Sequence, residues 1–272
     1  MASIGITFAD AGGSNTSFLA SLLRDAGAIE LELSEAANGN GPFSCDVILD
    51  CGQLDFDCLR ARNERIILVS ITGFGLSGPC KDWKADSYIA AAAGGSMHMC
   101  GEADKAPIAP AGAQAEKIAG LFAANGVMLA LFERETTGKG KHLDISMQEA
   151  VAGALDLVLV QHFYFNQNPC RSGSMAWGKQ NFIIPCSNGH IMVHIRQSDW
   201  VTIVDWMAGD DAAGDLLDSC WLDEKYRHEN LSHVVEAMAA WGRQHTKEEL
   251  FETAQLMRMP WAMVEEGAWG QA

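Results

Sequence analysis

Residues 70–80 read SITGFGLSGPC, residues 90–101 AAAAGGSMHMCG, and residues 120–150 GLFAANGVMLALFERETTGKGKHLDISMQEA. The first segment ends an apolar strand in a glycine-rich turn. The last is a long apolar helix closed by the turn TTGKGK, after which Leu143, Ile145 and Met147 alternate with Asp144 and Ser146. A strand, a glycine turn, a helix of more than a dozen residues and a second strand form the grammar of a parallel crossover. The helix, Ala115–Glu135, is apolar nearly all round and is expected to be central and buried. Gln148–Phe165 reads as a second buried helix.

Upstream, the same alternation continues. Ile4–Phe8 is an apolar strand followed by the turn ADAGGSN. Asn15 to Ala26 places Phe18, Leu19, Leu22 and Leu23 on one helical face, with Gly27 suited to ending the helix. Ile29–Leu33, Val47–Leu49 and Ile66–Ile71 read as further strands, with a short helix around Asp57–Asn63. The expected fold class is α/β, a Rossmann-like parallel sheet forming a large domain over 1–180. Downstream, IIPCSNGHIMVHI predicts a hairpin about Asn188-Gly189. Helices follow near Asp199–Met207, Val234–Trp241 and Lys247–Met257, the last opened by a capping box at Thr246 and Glu249. These elements predict a smaller α+β domain over 181–272.

Composition sets the class. The chain has 272 residues, 48% hydrophobic and 20% charged, with a formal net charge of −16. That is globular composition, and so acidic a surface repels nucleic acid. The start MASIGITFADAG lacks the basic and apolar regions of a signal peptide. The apolar run AVAGALDLVLV is broken by Asp156 and too short for a bilayer. The expectation is a cytoplasmic protein without membrane partners. Eight cysteines without C-x-x-C pairs read as reduced, mostly buried thiols.

Chemistry-bearing residues cluster at the turns. Glu116, in AEKIAG, opens the long helix; on the residues alone, a carboxylate there also reads as a partner of the helix dipole and the first-turn amides. Gly73, Phe74 and Gly75 form a turn after a strand. Gly12, Gly13 and Ser14 form the first turn, and Lys139 lies in TTGKGK. His98, between two methionines, reads as a hydrogen-bonded core residue.

In this order, GFGLSGP, the alanine-glycine run, APIAPAGAQAEKIAG and TTGKGKHLDISMQEA resemble the class III CoA-transferase family (CaiB-BaiF), which includes formyl-CoA transferase-like and α-methylacyl-CoA racemase-like enzymes. The resemblance spans nearly the whole chain. It implies that Glu116, where the family usually carries aspartate, attacks an acyl-CoA thioester to form a mixed anhydride. It implies that Gly73, Phe74 and Gly75 lie near the CoA thiol end, and that Gly12, Gly13 and Ser14 lie where relatives approach the nucleotide. Lys139, with Lys141, reads from its charge as a candidate to attract phosphate or as part of a solvated turn. Coenzyme A would then be a thioester substrate, with a carboxylic acid as second substrate, and neither a permanent cofactor nor a metal is expected. Racemase-like relatives place a histidine where this chain has Asp86-Ser87.

Two departures accompany the matches. The family's E-N-F-R-P-G-like segment is here DCGQLD. RMPWAMVEEGAWGQA resembles the family's G-V-P-x-x-x-V segment, after which relatives continue through a return segment that links two chains. The resemblance therefore implies either a homodimer or a heteromer with a longer homologous subunit, in which this chain is catalytic or only supporting. Apolar faces of Gln148–Phe165 and the tryptophans Trp261 and Trp269 are the expected contact surface.

Overall fold

The computed structural model describes residues 5–8, 14–25, 29–31, 45–173 and 181–265. Two compact units divide the chain: 1–100 with 106–171, and 101–105 with 172–272.

The first unit is a parallel five-stranded sheet. Its strands are β1 (Gly5–Phe8), β2 (Ile29–Leu31), β3 (Val47–Asp50), β4 (Ile67–Thr72) and β5 (His142–Ser146), in the order β2-β1-β3-β4-β5. This is the flavodoxin-type doubly wound order, in which the connections reverse between β1 and β3. β3 and β4 are buried along their length, as continuous apolar strands covered on both faces must be.

The two faces differ. Val47, Leu49, Ile67, Val69 and Ile71 pack with residues from α1 (Ser14–Asp25), α3 (Ser87–Ala93), α4 (Gln114–Thr137) and α5 (Met147–Gly153). The opposite face carries Ile48 and Leu68, which pack against Leu59 and Phe56 of α2 (Phe56–Arg62).

α4 meets the sheet through small residues: Ala115, Ala119, Gly120, Ala123, Val127 and Ala130 are buried. A Cβ on Gly120 would sit 2.9 Å from the Phe18 ring, so α1 and α4 approach closely there. The expectation that α4 is buried all round is corrected, since Leu121, Phe122, Met128 and Leu129 are exposed and Phe132 is 80% exposed. Among the described residues α4 is the one helix long and apolar enough to cross a bilayer. Its small-residue face is instead committed to the sheet and its helices.

The second expected helix is also different. It breaks at Ala154-Leu155 into α5 and α6 (Asp156–Phe165), and Gly153, a weak helix former, ends the first piece. Most of α6 is open, with Tyr164 81% exposed.

The second unit holds an antiparallel sheet of β6 (Asn181–Cys186), β7 (Gly189–His194) and β8 (Ala262–Val264). The hairpin forms, but Cys186 pairs with Gly189, so its turn residues are Ser187 and Asn188 rather than Asn188 and Gly189. Helices α7 (Trp200–Gly209), α8 (Glu224–Glu229), α9 (Leu231–Gly242) and α10 (Lys247–Leu256) accompany it. The capping box at Thr246 and Glu249 is present, with both reciprocal hydrogen bonds made. Trp261, expected on the surface, is only 2% exposed; it stacks on Trp206 and donates from Nε1 to the His194 carbonyl at 3.1 Å. Trp269 lies outside the described residues.

None of the eight cysteines is in a disulfide, and only Cys45 and Cys186 are buried, so the expectation of buried thiols is corrected for the other six. Burial pushes the Cys45 thiol up to about 11.

Candidate active site

In a doubly wound sheet, ligands bind beyond the carboxyl ends of the strands. At the end of β3, Asp50 is 1% exposed, and the chain folds back over it. Its carboxylate accepts from the amides of Gly52 at 2.8 Å, Gln53 at 2.9 Å and Leu54 at 3.3 Å, and from Ser70 Oγ at 3.3 Å. A buried carboxylate persists only with such partners. DCGQLD is thus a loop built around its own aspartate. A Cβ on Gly52 would lie 2.8 Å from Leu76 and 2.9 Å from Thr72, so this loop lies directly against the one that follows β4.

That next loop holds Gly73, Phe74 and Gly75. The Gly75 amide donates to Thr72 Oγ1 at 2.9 Å, and the Leu76 amide donates to both oxygens of Asp144 on β5, at 3.1 and 3.0 Å. The Gly73 carbonyl accepts from the Gln148 amide at 3.1 Å. Phe74 meets Trp83 edge-on at 5.7 Å. A Cβ on Gly73 would stand 2.5 Å from the Ala85 Cβ, so residue 73 must be glycine for the 85–87 segment to close over it.

Glu116 is half-buried in the first turn of α4. The far end of the helix is fixed at the amino edge of the sheet. There Arg134, 5% exposed, donates to Asp46 Oδ1 at 2.9 Å and to the Arg65 carbonyl at 3.0 Å. Glu116 lies about 27 Å back along the axis at 1.5 Å per residue. β4 spans a comparable ~20 Å, so the first turn of α4 lies toward the carboxyl end of the sheet, where the 73–78 loop follows β4. One segment touches both regions: Ala85 packs on Gly73, while Ser87 Oγ accepts from the Ala115 amide at 3.2 Å.

The remaining predicted residues are placed as follows. Gly12 and Gly13 lie outside the described residues. Ser14 begins α1, just after β1, and therefore belongs to the carboxyl edge by topology. Lys139 is not brought to the glycine loop. It follows α4 and precedes β5, which puts it at the amino edge, where its neighbour Gly140 donates to the Glu64 carbonyl at 2.7 Å. His98, expected in the core, is instead exposed; it lies in a short turn, Ser96–Met99, at the rim of an apolar pocket of about 390 Å³ shared with Met99, Leu155 and Val158. Among the described residues no group of three or more His, Cys, Asp or Glu could hold a metal.

Sequence reasoning missed Asp50, Asp144 and Ser87. Asp50 carried a signal, since an acidic residue closing the apolar run VIL ahead of a glycine turn is placed to collect turn amides. Asp144 and Ser87 act on residues distant in sequence, and no local pattern marks them.

Residues 48–268 match CoA-transferase family III. The chain is 27% identical over 223 residues to formyl-CoA:oxalate CoA-transferase of Streptomyces avermitilis, covering 75% of this chain and 54% of that one. It is 29% identical over 210 residues to the succinyl-CoA–L-malate CoA-transferase beta subunit of Chloroflexus aurantiacus, covering 73% and 50%. The chain thus spans about half the length of these curated relatives. In fold it resembles the crystal structure of a CaiB/BaiF family protein from Brucella suis, with a TM-score of 0.78 at 18% identity, covering 96% of this chain and 83% of that one.

Proposed function

We propose that this chain, which belongs to CoA-transferase family III, moves CoA from an acyl-CoA thioester to a carboxylic acid with Glu116 as the nucleophile. One observation carries the reading: the 85–87 segment joins the first turn of the Glu116 helix to the Gly73–Gly75 loop. A carboxylate at a helix start that is tied to a glycine loop at the strand ends suits acyl transfer.

In the first step a Glu116 oxygen attacks the thioester carbonyl carbon. The C–S bond breaks, leaving a mixed anhydride and CoA thiolate. The thiolate then attacks the glutamyl carbonyl, releasing the original acyl group as its carboxylate and leaving a glutamyl-CoA thioester. The acceptor carboxylate attacks that thioester, giving a second anhydride and freeing the thiolate again. Attack of this thiolate on the acceptor's carbonyl forms the new acyl-CoA and restores Glu116. No proton or electron is consumed, so no metal or resident cofactor is called for. Gly73, Phe74 and Gly75 would lie near the thioester end of CoA, and Ser14, with Gly12 and Gly13 by the sequence pattern alone, would serve its nucleotide.

Trapping tests this. Wild-type protein incubated with acyl-CoA and then hydroxylamine is expected to yield a hydroxamate on Glu116, read by peptide mass spectrometry. Protein that stays unmodified would remove the nucleophile assignment.

A second reading makes this chain the supporting subunit of a heteromer. It is favoured by the Asp50 loop, whose amides turn inward to their own carboxylate and which carries no arginine toward phosphate. One of the matched relatives is itself a named subunit. Both readings require an assembly, because the open faces of α4 and α6 expose Phe132, Phe163 and Tyr164 together with neighbouring aliphatics. Multi-angle light scattering at micromolar concentration is expected to give at least twice the chain mass, alone or with a longer homologous partner. A stable monomer under both conditions would contradict that expectation.

A further inference from the structure

We infer that Ser87 is a positioning residue for Glu116, holding the first turn of α4 from outside the helix. The inference rests on the reading of Glu116 as nucleophile. The N-cap position of α4 is Ala113, which is left-handed (φ 52°, ψ 48°) and has no side-chain acceptor to offer the first-turn amides. Helices normally satisfy those amides with Ser, Thr, Asp or Asn at the N-cap. Here the acceptor comes from α3, since Ser87 Oγ takes the Ala115 amide in a buried contact at 3.2 Å.

Ser87 is itself held in place. Asp86 caps α3, accepting from the Ile89 amide at 2.9 Å. Before it, Ala85 is seated on Gly73; at the other end of α3, a Cβ on Gly94 would fall 2.6 Å from Val151. α3 is therefore clamped at both ends, and its serine fixes the turn that carries Glu116 relative to the glycine loop. Without the hydroxyl, the buried Ala115 amide loses its acceptor, and the turn opens locally while the rest of α4 stays packed. The Glu116 carboxylate then reaches its attack geometry in a smaller fraction of encounters.

The test compares wild type, Ser87→Ala and Ser87→Thr by hydrogen exchange and by the rate of hydroxylamine-trapped adduct formation. In Ser87→Ala the Ala115 amide is expected to exchange at least about ten-fold faster, with residues 121–134 unchanged. Adduct formation is expected to slow about ten-fold, with acyl-CoA affinity within about two-fold of wild type. Ser87→Thr, which keeps the hydroxyl, should recover most of both. Unchanged Ala115 exchange, or acceleration spread evenly along α4, overturns the proposal. So does a normal adduct rate despite faster Ala115 exchange. Wild-type protein that forms no Glu116 adduct overturns the nucleophile reading and the positioning role with it. A wild-type adduct with unaltered Ser87→Ala behaviour overturns the Ser87 assignment alone.

Discussion

Glu116→Gln is expected to lower acyl-CoA-dependent CoA transfer by at least about 1000-fold, because a carboxamide oxygen cannot displace CoA thiolate to form the anhydride. The substitution is nearly isosteric at a half-buried site and should leave the fold intact; loss of charge at the helix start costs about 0.3–1 kcal/mol. The thermal midpoint of the variant therefore separates chemistry from stability. Glu116→Asp keeps the nucleophile but shortens its reach by one methylene, and a displacement of ~1 Å changes rate about 100-fold. Steady-state kinetics of both variants beside wild type would decide the role. A Gln variant retaining more than about a tenth of wild-type turnover would exclude Glu116 as the attacking group.

The second large effect is on folding. Gly140→Ala is expected to destabilise the protein by more than about 4 kcal/mol. A Cβ at that position would lie 1.8 Å from the Ile66 carbonyl oxygen, 2.4 Å from its carbon and 2.6 Å from the Arg65 carbon. All three are backbone atoms, so no rotamer relieves the overlap. The ladder joining β5 to β4 starts immediately afterwards, with the Leu68 amide donating to the Lys141 carbonyl at 3.0 Å. The strand would have to lift away from its neighbour. Calorimetry should show a drop of about 10 °C or more in Tm, or no cooperative transition. Gly138→Ala is the control, since its Cβ meets nothing within 4 Å and only its left-handed φ of 70° is strained. A Gly140→Ala midpoint within about 3 °C of wild type would show that this crossing is looser than described.

The parallel sheet was legible because ILVSIT and VILD are continuous apolar strands bounded by turns, and because local punctuation such as the Thr246 capping box acts within a few residues. What faced outward on α4 was not legible. Hydrophobicity is nearly uniform around that helix, and only side-chain size separates the face of Ala115, Ala119 and Ala123 from that of Met128 and Phe132. Small residues face the sheet because two backbones must approach there, a requirement that no hydrophobic pattern records. Lys139 was misplaced for a different reason. A lysine beside glycines suggests a phosphate cradle, but a helix-to-strand turn in this topology lies at the edge opposite the ligand crevice. Trp261 read as surface because the strand β8 that places it beside Trp206 was not recognised. The Glu116 position was visible as a helix start, whereas its tie to Gly73 through Ser87 depends on three segments meeting in space.

Ser70 bridges Asp50 on β3 and His142 on β5, with contacts of 3.3 and 2.9 Å. Ser70 and His142 are separated by 72 positions, so β5 emerges from the ribosome long after β3 and β4 have been made. Until it arrives, β4 is an exposed edge rich in isoleucine, leucine and valine, the kind of surface on which nascent chains associate wrongly. Docking β5 one residue out of step would turn His142 and Asp144 toward the alanine face of α4 and point Leu143 and Ile145 at α2. It would also strip the Ser70–His142 contact from a buried polar row. The row therefore favours the one register of β5 that closes the sheet with its polar contacts made.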